Sequence, residues 1–260
     1  MMIVDADTHI SPTSEGGNSI FIDELIRRMD RSGVDMALTW LQPPYLREIS
    51  KSNRYVYDAT RTYPRRILGY GWVDPNLGPA KARDSLKACL EEYGFYGVKL
   101  NGAQNNFPID DPELVIPVIE AVAKAGSTLA FHIGGDSYNN THPYRLQKIA
   151  ARFPELTIFA VHMGGASFDD MSSIVIEVAQ NHPNIHLIGS AVRAIPILNA
   201  VKALGAKRVC FGSDTPFELM HVEVAKYRSL LESEVAPQDF ENIMGGNILR
   251  LLGYAASEAR

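Results

Sequence analysis

Short apolar runs recur along the chain, and each is followed by a longer segment in which apolar positions return at helical spacing. The runs "MIVDAD" (2–7), "DMALTW" (35–40), "ILGYGWV" (67–73), "YGVKL" (96–100), "STLAFHI" (127–133), "LTIFAVH" (156–162), "NIHLIGS" (184–190) and "KRVCFGS" (207–213) predict eight strands. Several are apolar on both faces, as parallel strands covered by helices must be. Between them the period predicts helices. "SIFIDELIRRMDRSG" carries apolar residues at 20, 21, 25, 26 and 29 and stops at Gly33, while "GPAKARDSLKACLEEYG" has Pro79 near its start and Gly94 at its end. "DDPELVIPVIEAVAKAG", "SFDDMSSIVIEVAQNHP" and "EVAKYRSLLESEV" follow the same pattern, and "FENIMGGNILRLLG" reads as a helix, a Gly-Gly break and a short closing helix. Eight strand–helix units in a chain of 260 residues predict an α/β fold, a (β/α)8 TIM barrel, with 1–260 as a single domain. The competing open, doubly wound sheet calls for a glycine-rich phosphate loop after the first strand. The sequence there is "THISPTSEGG", not G-x-G-x-x-G.

Composition narrows the partners. A 46% hydrophobic content suits a large core, and a net charge of -5 without any basic run argues against nucleic acid. The two cysteines, Cys89 and Cys210, have no disulfide or zinc-knuckle spacing and read as small buried hydrophobes. No apolar run reaches the roughly 18 residues that span a bilayer, and the first residues do not read as a signal peptide. The expectation is a cytoplasmic protein with a small-molecule substrate and no membrane contact.

The stretch "VDADTHI" (4–10) places two acids and a histidine in an otherwise buried strand. Alternation puts Asp5, Asp7 and His9 on one face. Buried carboxylates cost several kcal/mol each unless paired, so these are paired, exposed at the strand end, or bound to something positive. The predicted C-terminal strand ends supply Asp7, His9, Trp40, Trp72, Asp74, Lys99, Asn101, His132, His162, Ser190 and Asp214. In a TIM barrel these ends converge on the active site. Imidazoles and carboxylates together form a ligand set for zinc or a similar divalent ion. Asp214 in "SDTPF" has a second reading, as a helix N-cap. His182, His186 and His221 read as surface or packing residues.

"DADTH", "FHIGG", "VHMGG" and "GSDTPF", with the terminal "GGNILRLLG", resemble the amidohydrolase superfamily. More narrowly they resemble its amidohydrolase-related branch, which includes aminocarboxymuconate-semialdehyde decarboxylase, gamma-resorcylate decarboxylase and pyrone-dicarboxylate lactonases. The resemblance implies one divalent metal, zinc first and manganese second, held by Asp7, His9, His132 and Asp214. The family's usual first motif is His-x-His; here it is Asp7-Thr8-His9, and the oxygen ligand moves preference toward a harder ion. It implies that His162 faces the substrate or the metal-bound water, and that Asp214 also acts as general base. Asp5 is read as a supporting residue. Lys99 is read either as a bridging carbamate, as a point charge for a substrate carboxylate, or as a lysine reaching solvent. Asn101, Tyr144 and Arg145 are candidate substrate contacts, the last two in a loop with His142.

The function expected from these residues is hydrolysis of a small amide, lactone or ester by metal-activated water, with Asp214 taking the proton. The alternative is non-oxidative decarboxylation of an aromatic or unsaturated carboxylic acid. A third reading, from a different class, is a metal-free barrel that binds a small metabolite. A homodimer is an open possibility.

Overall fold

The structure is a computed structural model, and it describes residues 1–14, 18–43, 48–165 and 170–254. Its strands are β1 (Val4–Ile10), β2 (Met36–Leu41), β3 (Ile67–Gly69), β4 (Gly71–Trp72), β5 (Gly97–Leu100), β6 (Thr128–His132), β7 (Ile158–Val161), β8 (Ile185–Ile188) and β9 (Val209–Cys210). Consecutive strands pair in parallel, β1 to β3 and β4 to β9. β3 and β4 are two halves of one stave interrupted at Tyr70, whose N–H still donates to Thr39 O at 3.0 Å. The last stave closes on the first: Ala6 N donates to Phe211 O at 3.0 Å and His9 N to Thr215 O at 2.7 Å. The result is the eight-staved barrel that the alternation predicted. All seven residues of β1 are buried, which fits strands covered on both faces.

The expected strands are shorter than their apolar runs. The run 207–213 yields only Val209–Cys210, because the chain leaves the ladder there to place Asp214 in a left-handed turn (φ 58°). The helices surround the barrel, including Ile22–Ser32, Pro79–Lys87, Ile116–Lys124 and Met220–Leu231. The helix read from "SFDDMSSIVIEVAQNHP" covers Ser172–Asn181, and residues 167–169 of that run lie outside the described residues. The expected Gly-Gly break is overturned: Pro237–Glu241 runs through a π-turn, Asn242–Gly246, straight into Asn247–Leu251. Gly245 serves close approach instead, since a Cβ there would lie 2.7 Å from Met2 O.

Gly97 shows how tightly the barrel is filled. A Cβ at Gly97 would lie 2.1 Å from Thr128 O and 2.6 Å from the Tyr70 hydroxyl. Gly97→Ala is therefore expected to cost about 3 kcal/mol, read as a lower denaturation midpoint at unchanged slope.

His186, on β8, is buried, and its Nδ1 has no hydrogen-bond partner among the described residues. Burial, helped by Arg208 and Arg250, holds its pKa down to about 3. The unfolded chain takes up this proton near pH 6.5 and the folded one does not. Stability therefore falls as pH drops from about 6.5 toward 3, by about 1.4 kcal/mol per pH unit from this residue. Acid titration of His186→Leu, followed by denaturant melts, should show a shallower loss than the parent; an equal slope would mean that His186 charges without unfolding.

Candidate active site

At the C-terminal ends of the strands lies a cavity of about 300 Å³, walled by His9, Lys99, Asn101, His132, His162, Asp214, Asp136 and Phe217. A larger cleft of about 480 Å³ lies on the flank, with Glu48, Asp74 and Asp84 but no imidazole. Asp7 is wholly buried beside three residues that line the smaller cavity, His9, Lys99 and His162. Ser190 Oγ donates to Asp7 Oδ2 in a short hydrogen bond, whereas Asp7 Oδ1 has no hydrogen-bond partner among the described residues. His9 Nε2 lies 3.3 Å and Lys99 Nζ 3.8 Å from that oxygen. Burial alone would raise the Asp7 pKa, but Lys99 above all, with His9, outweighs it and holds the carboxyl below the usual range, ionised.

One oxygen of Asp7, one nitrogen of His162 and one oxygen of Asp214 lie within 4.8 Å of one another. His9 touches both acids, with Nε2 3.4 Å from Asp214 Oδ1. Its Nδ1 faces Leu41 O at 2.8 Å, and Trp40 Nε1 donates to Nε2 at 3.0 Å. Burial pulls the His9 pKa down, but the carboxylates of Asp214 and Asp7 outweigh it and hold it above the ordinary histidine value. The carboxylates and the indole thus compete for one ring nitrogen. His162 is different: burial brings its pKa down to about 4, so it is neutral at pH 7.

Lys99 is 1% exposed, with Nζ 3.9 Å from the Trp40 ring centroid and 5.6 Å from that of Trp72. Burial pulls its pKa below the ordinary lysine value, while Asp7 and Asp214 oppose the fall. It faces the cavity and does not reach solvent.

His132 Nε2 lies 2.9 Å from both oxygens of Asp136, and its ring meets that of His162 edge-on at 4.6 Å. The backbone marks the same region. His162 (φ 65°), Met163 (φ 38°), Ala191 (φ 52°) and Asp214 (φ 58°) are non-glycine residues in the left-handed region. Each such conformation costs on the order of 1–3 kcal/mol, and such residues cluster where geometry matters more than local comfort.

The remaining sequence candidates divide. Asn101 lines the cavity, but its side-chain oxygen is occupied as a cap, accepting from Ala103 N and Gln104 N. Arg145 points elsewhere: Nη1 makes a short bond to Asp110 and Nε donates to Asn139 O at 2.7 Å. Tyr144 is exposed and stands beside the His142 ring rather than at the cavity. Asp5 Oδ1 accepts from Asp7 N at 3.1 Å and Ser213 N at 2.8 Å, tying β1 to the loop that carries Asp214. Burial raises its pKa to about 7. Asp136, Phe217 and the contacts of Ser190 were not foreseen. Only Ser190 had a signal in the sequence, as the polar end of "NIHLIGS".

Residues 46–254 match the model of the amidohydrolase family, and the chain belongs to that family. It is similar to the gamma-resorcylate decarboxylase of a Polaromonas species, 24% identical over 75% of this chain and 77% of the relative. The 2,6-dihydroxybenzoate decarboxylase from Rhizobium superposes with a TM-score of 0.77 at 19% identity, over 97% of this chain and 98% of that one. A dihydroxybenzoic acid decarboxylase from Polaromonas sp. JS666, solved with manganese and the inhibitor 2-nitroresorcinol, superposes with a TM-score of 0.74 at 18% identity, over 99% and 98%. These relatives overturn the expectation of hydrolysis, for they are decarboxylases. The physical reason for the misreading is plain: a carboxylate–imidazole cluster in a barrel mouth serves either reaction, and the motifs record only the cluster. No helix among the described residues is long and apolar enough to cross a membrane.

Proposed function

We propose that the protein is a metal-dependent, non-oxidative decarboxylase of a small aromatic carboxylic acid. The observation that carries this reading is Lys99, a buried cation that faces the same cavity as His162 and Asp214 and lies beside Asp7. A divalent ion fits the site on physical grounds. Asp7 Oδ1 is buried without a hydrogen-bond partner, an expensive condition that a cation relieves. Asp7, His162 and Asp214 would hold the ion, with His9 and His132 beside them. Two carboxylates favour a hard ion, so manganese is the metal we propose in preference to zinc, in keeping with the manganese bound by the Polaromonas structure. When bound, the ion supplies positive charge that grips substrate oxygens.

The residues do the rest. Lys99 orients the substrate carboxylate as a point charge in a dry site, where that charge is weakly screened. Phe217, edge-on to His9 at 5.4 Å, provides an apolar wall for the ring. His162, neutral, keeps a lone pair. Asp214 takes a proton from water and delivers it to the ring carbon that bears the carboxylate. The bond between ring and carboxylate breaks, its electron pair stays on the ring carbon to bond the proton, and CO2 leaves. Asp214 then regains a proton from water.

The test is release of labelled CO2 from carboxyl-labelled 2,6-dihydroxybenzoate and related hydroxybenzoates by manganese-loaded protein, with release expected only when the metal is present. Loaded protein that frees no label from any member of the panel would overturn the reading.

A further inference from the structure

We infer that Ser190 is a positioning residue that decides which atoms of Asp7 and His162 face the cavity. Ser190 is wholly buried at the end of the β8 stave, and it touches two of the three residues of the candidate metal group. Its hydroxyl has one proton, and the short contact to Asp7 Oδ2 fixes where that proton goes, since an ionised carboxylate can only accept. With the proton spent there, Ser190 Oγ can only accept from His162 Nδ1, 3.1 Å away. The Ser190 carbonyl, also an acceptor, lies 3.2 Å from the same nitrogen. Both neighbours of Nδ1 therefore require a proton on it.

With Nδ1 facing only acceptors, the ring proton sits there and Nε2 is the nitrogen left to offer a lone pair to a cation. On Asp7 the same serine occupies Oδ2 and leaves Oδ1 free. One hydroxyl thus settles a tautomer and a carboxylate orientation together, in a site where Gly212 leaves the space that a Cβ would take 3.1 Å from Asp7 Cβ and 3.2 Å from Ser190 Cβ. Supporting hydrogen bonds of this kind typically change metal affinity by 10- to 100-fold. The inference rests on the site reading above in that it takes His162 Nε2 and Asp7 Oδ1 as the working atoms. It does not depend on the reaction being decarboxylation.

The experiment is ¹⁵N NMR of histidine-labelled, metal-free protein, comparing the parent chain, Ser190→Ala and Ser190→Thr, followed by titration of each with manganese alone. In the parent, the His162 signals should show a protonated Nδ1 and an unprotonated Nε2. Ser190→Ala should lose the pure Nδ1–H signature and bind manganese about 10- to 100-fold more weakly, with an unchanged circular dichroism spectrum. Ser190→Thr, which keeps the hydroxyl, should keep the tautomer. An Nε2–H tautomer in the parent, or an Ala variant with parental tautomer and affinity, would overturn the assignment. A parent with the expected tautomer that releases no CO2 would leave this inference standing and remove the decarboxylase reading.

Discussion

Asp214→Asn should slow decarboxylation by about a thousandfold while leaving bound metal near the parental level. A positioned acid contributes on the order of 10²- to 10⁴-fold, and the candidates at this cavity are few. Asp7 is held ionised by Lys99 and His9, and His162 is neutral at working pH, so neither is the proton donor. Asp214 is mostly buried but opens on the cavity, in a left-handed turn that aims its side chain. Asparagine has the same shape and keeps an oxygen for the cation, but it has no proton to give at neutral pH. Single-turnover rates with elemental analysis of the same sample test this. A parental rate would take Asp214 out of the chemistry. Loss of metal in step with rate would mean that the residue's main task is to hold the ion.

Lys99→Met should be damaging in two separable ways. The substitution preserves most of the stem's packing against Trp40 and Trp72 but removes the charge beside Asp7. Breaking a buried pair costs about 3–5 kcal/mol, which for a chain of this size lowers the melting temperature by roughly 10 °C. Manganese should restore part of that loss, because a cation at Asp7 supplies the missing charge and binds only the folded chain. The ratio kcat/KM should stay low even with metal, through a higher KM for the carboxylate substrate. Thermal melts with and without manganese, alongside steady-state kinetics, read both effects. A variant that melts like the parent would show that Lys99 and Asp7 are not paired, and one that metal fails to stabilise would place the ion away from Asp7.

The fold was legible because it is written in two periods that do not resemble each other. Parallel staves must be apolar on both faces, and the helices between them need only one apolar stripe, so the eight units separate by pattern alone. What the pattern could not locate was where a stave stops pairing. Tyr70 interrupts the third stave between Gly69 and Gly71, within a run otherwise as apolar as any strand, and Gly245–Gly246 continues a helix because its real constraint is the distant backbone at Met2.

The site was legible at the level of residue type. Asp7, His9, Lys99, His132, His162 and Asp214 do meet at one mouth, because strand ends converge in a barrel. The partner of each polar atom was not legible. Nothing in "FHIGGDS" says that Asp136 turns back onto His132, and nothing near Arg145 announces that Asp110, far off in sequence, uses its guanidinium. Nor could a motif choose between two reactions that share one cluster of donors.

The seam where the barrel closes also sets the order in which the protein can become active. Asp7 lies on the first stave and Asp214 just past the last, and the bond from Ser213 N to Asp5 spans 208 positions of chain. A chain emerging from the ribosome can build its middle staves early, from neighbours close in sequence. It cannot bring the two acids together until nearly all of it has been made and the ends have found each other, the slowest kind of contact to form. Acquisition of a cation by this site would then coincide with the final step of folding, and an intermediate lacking only the last stave would be compact yet unable to retain the ion.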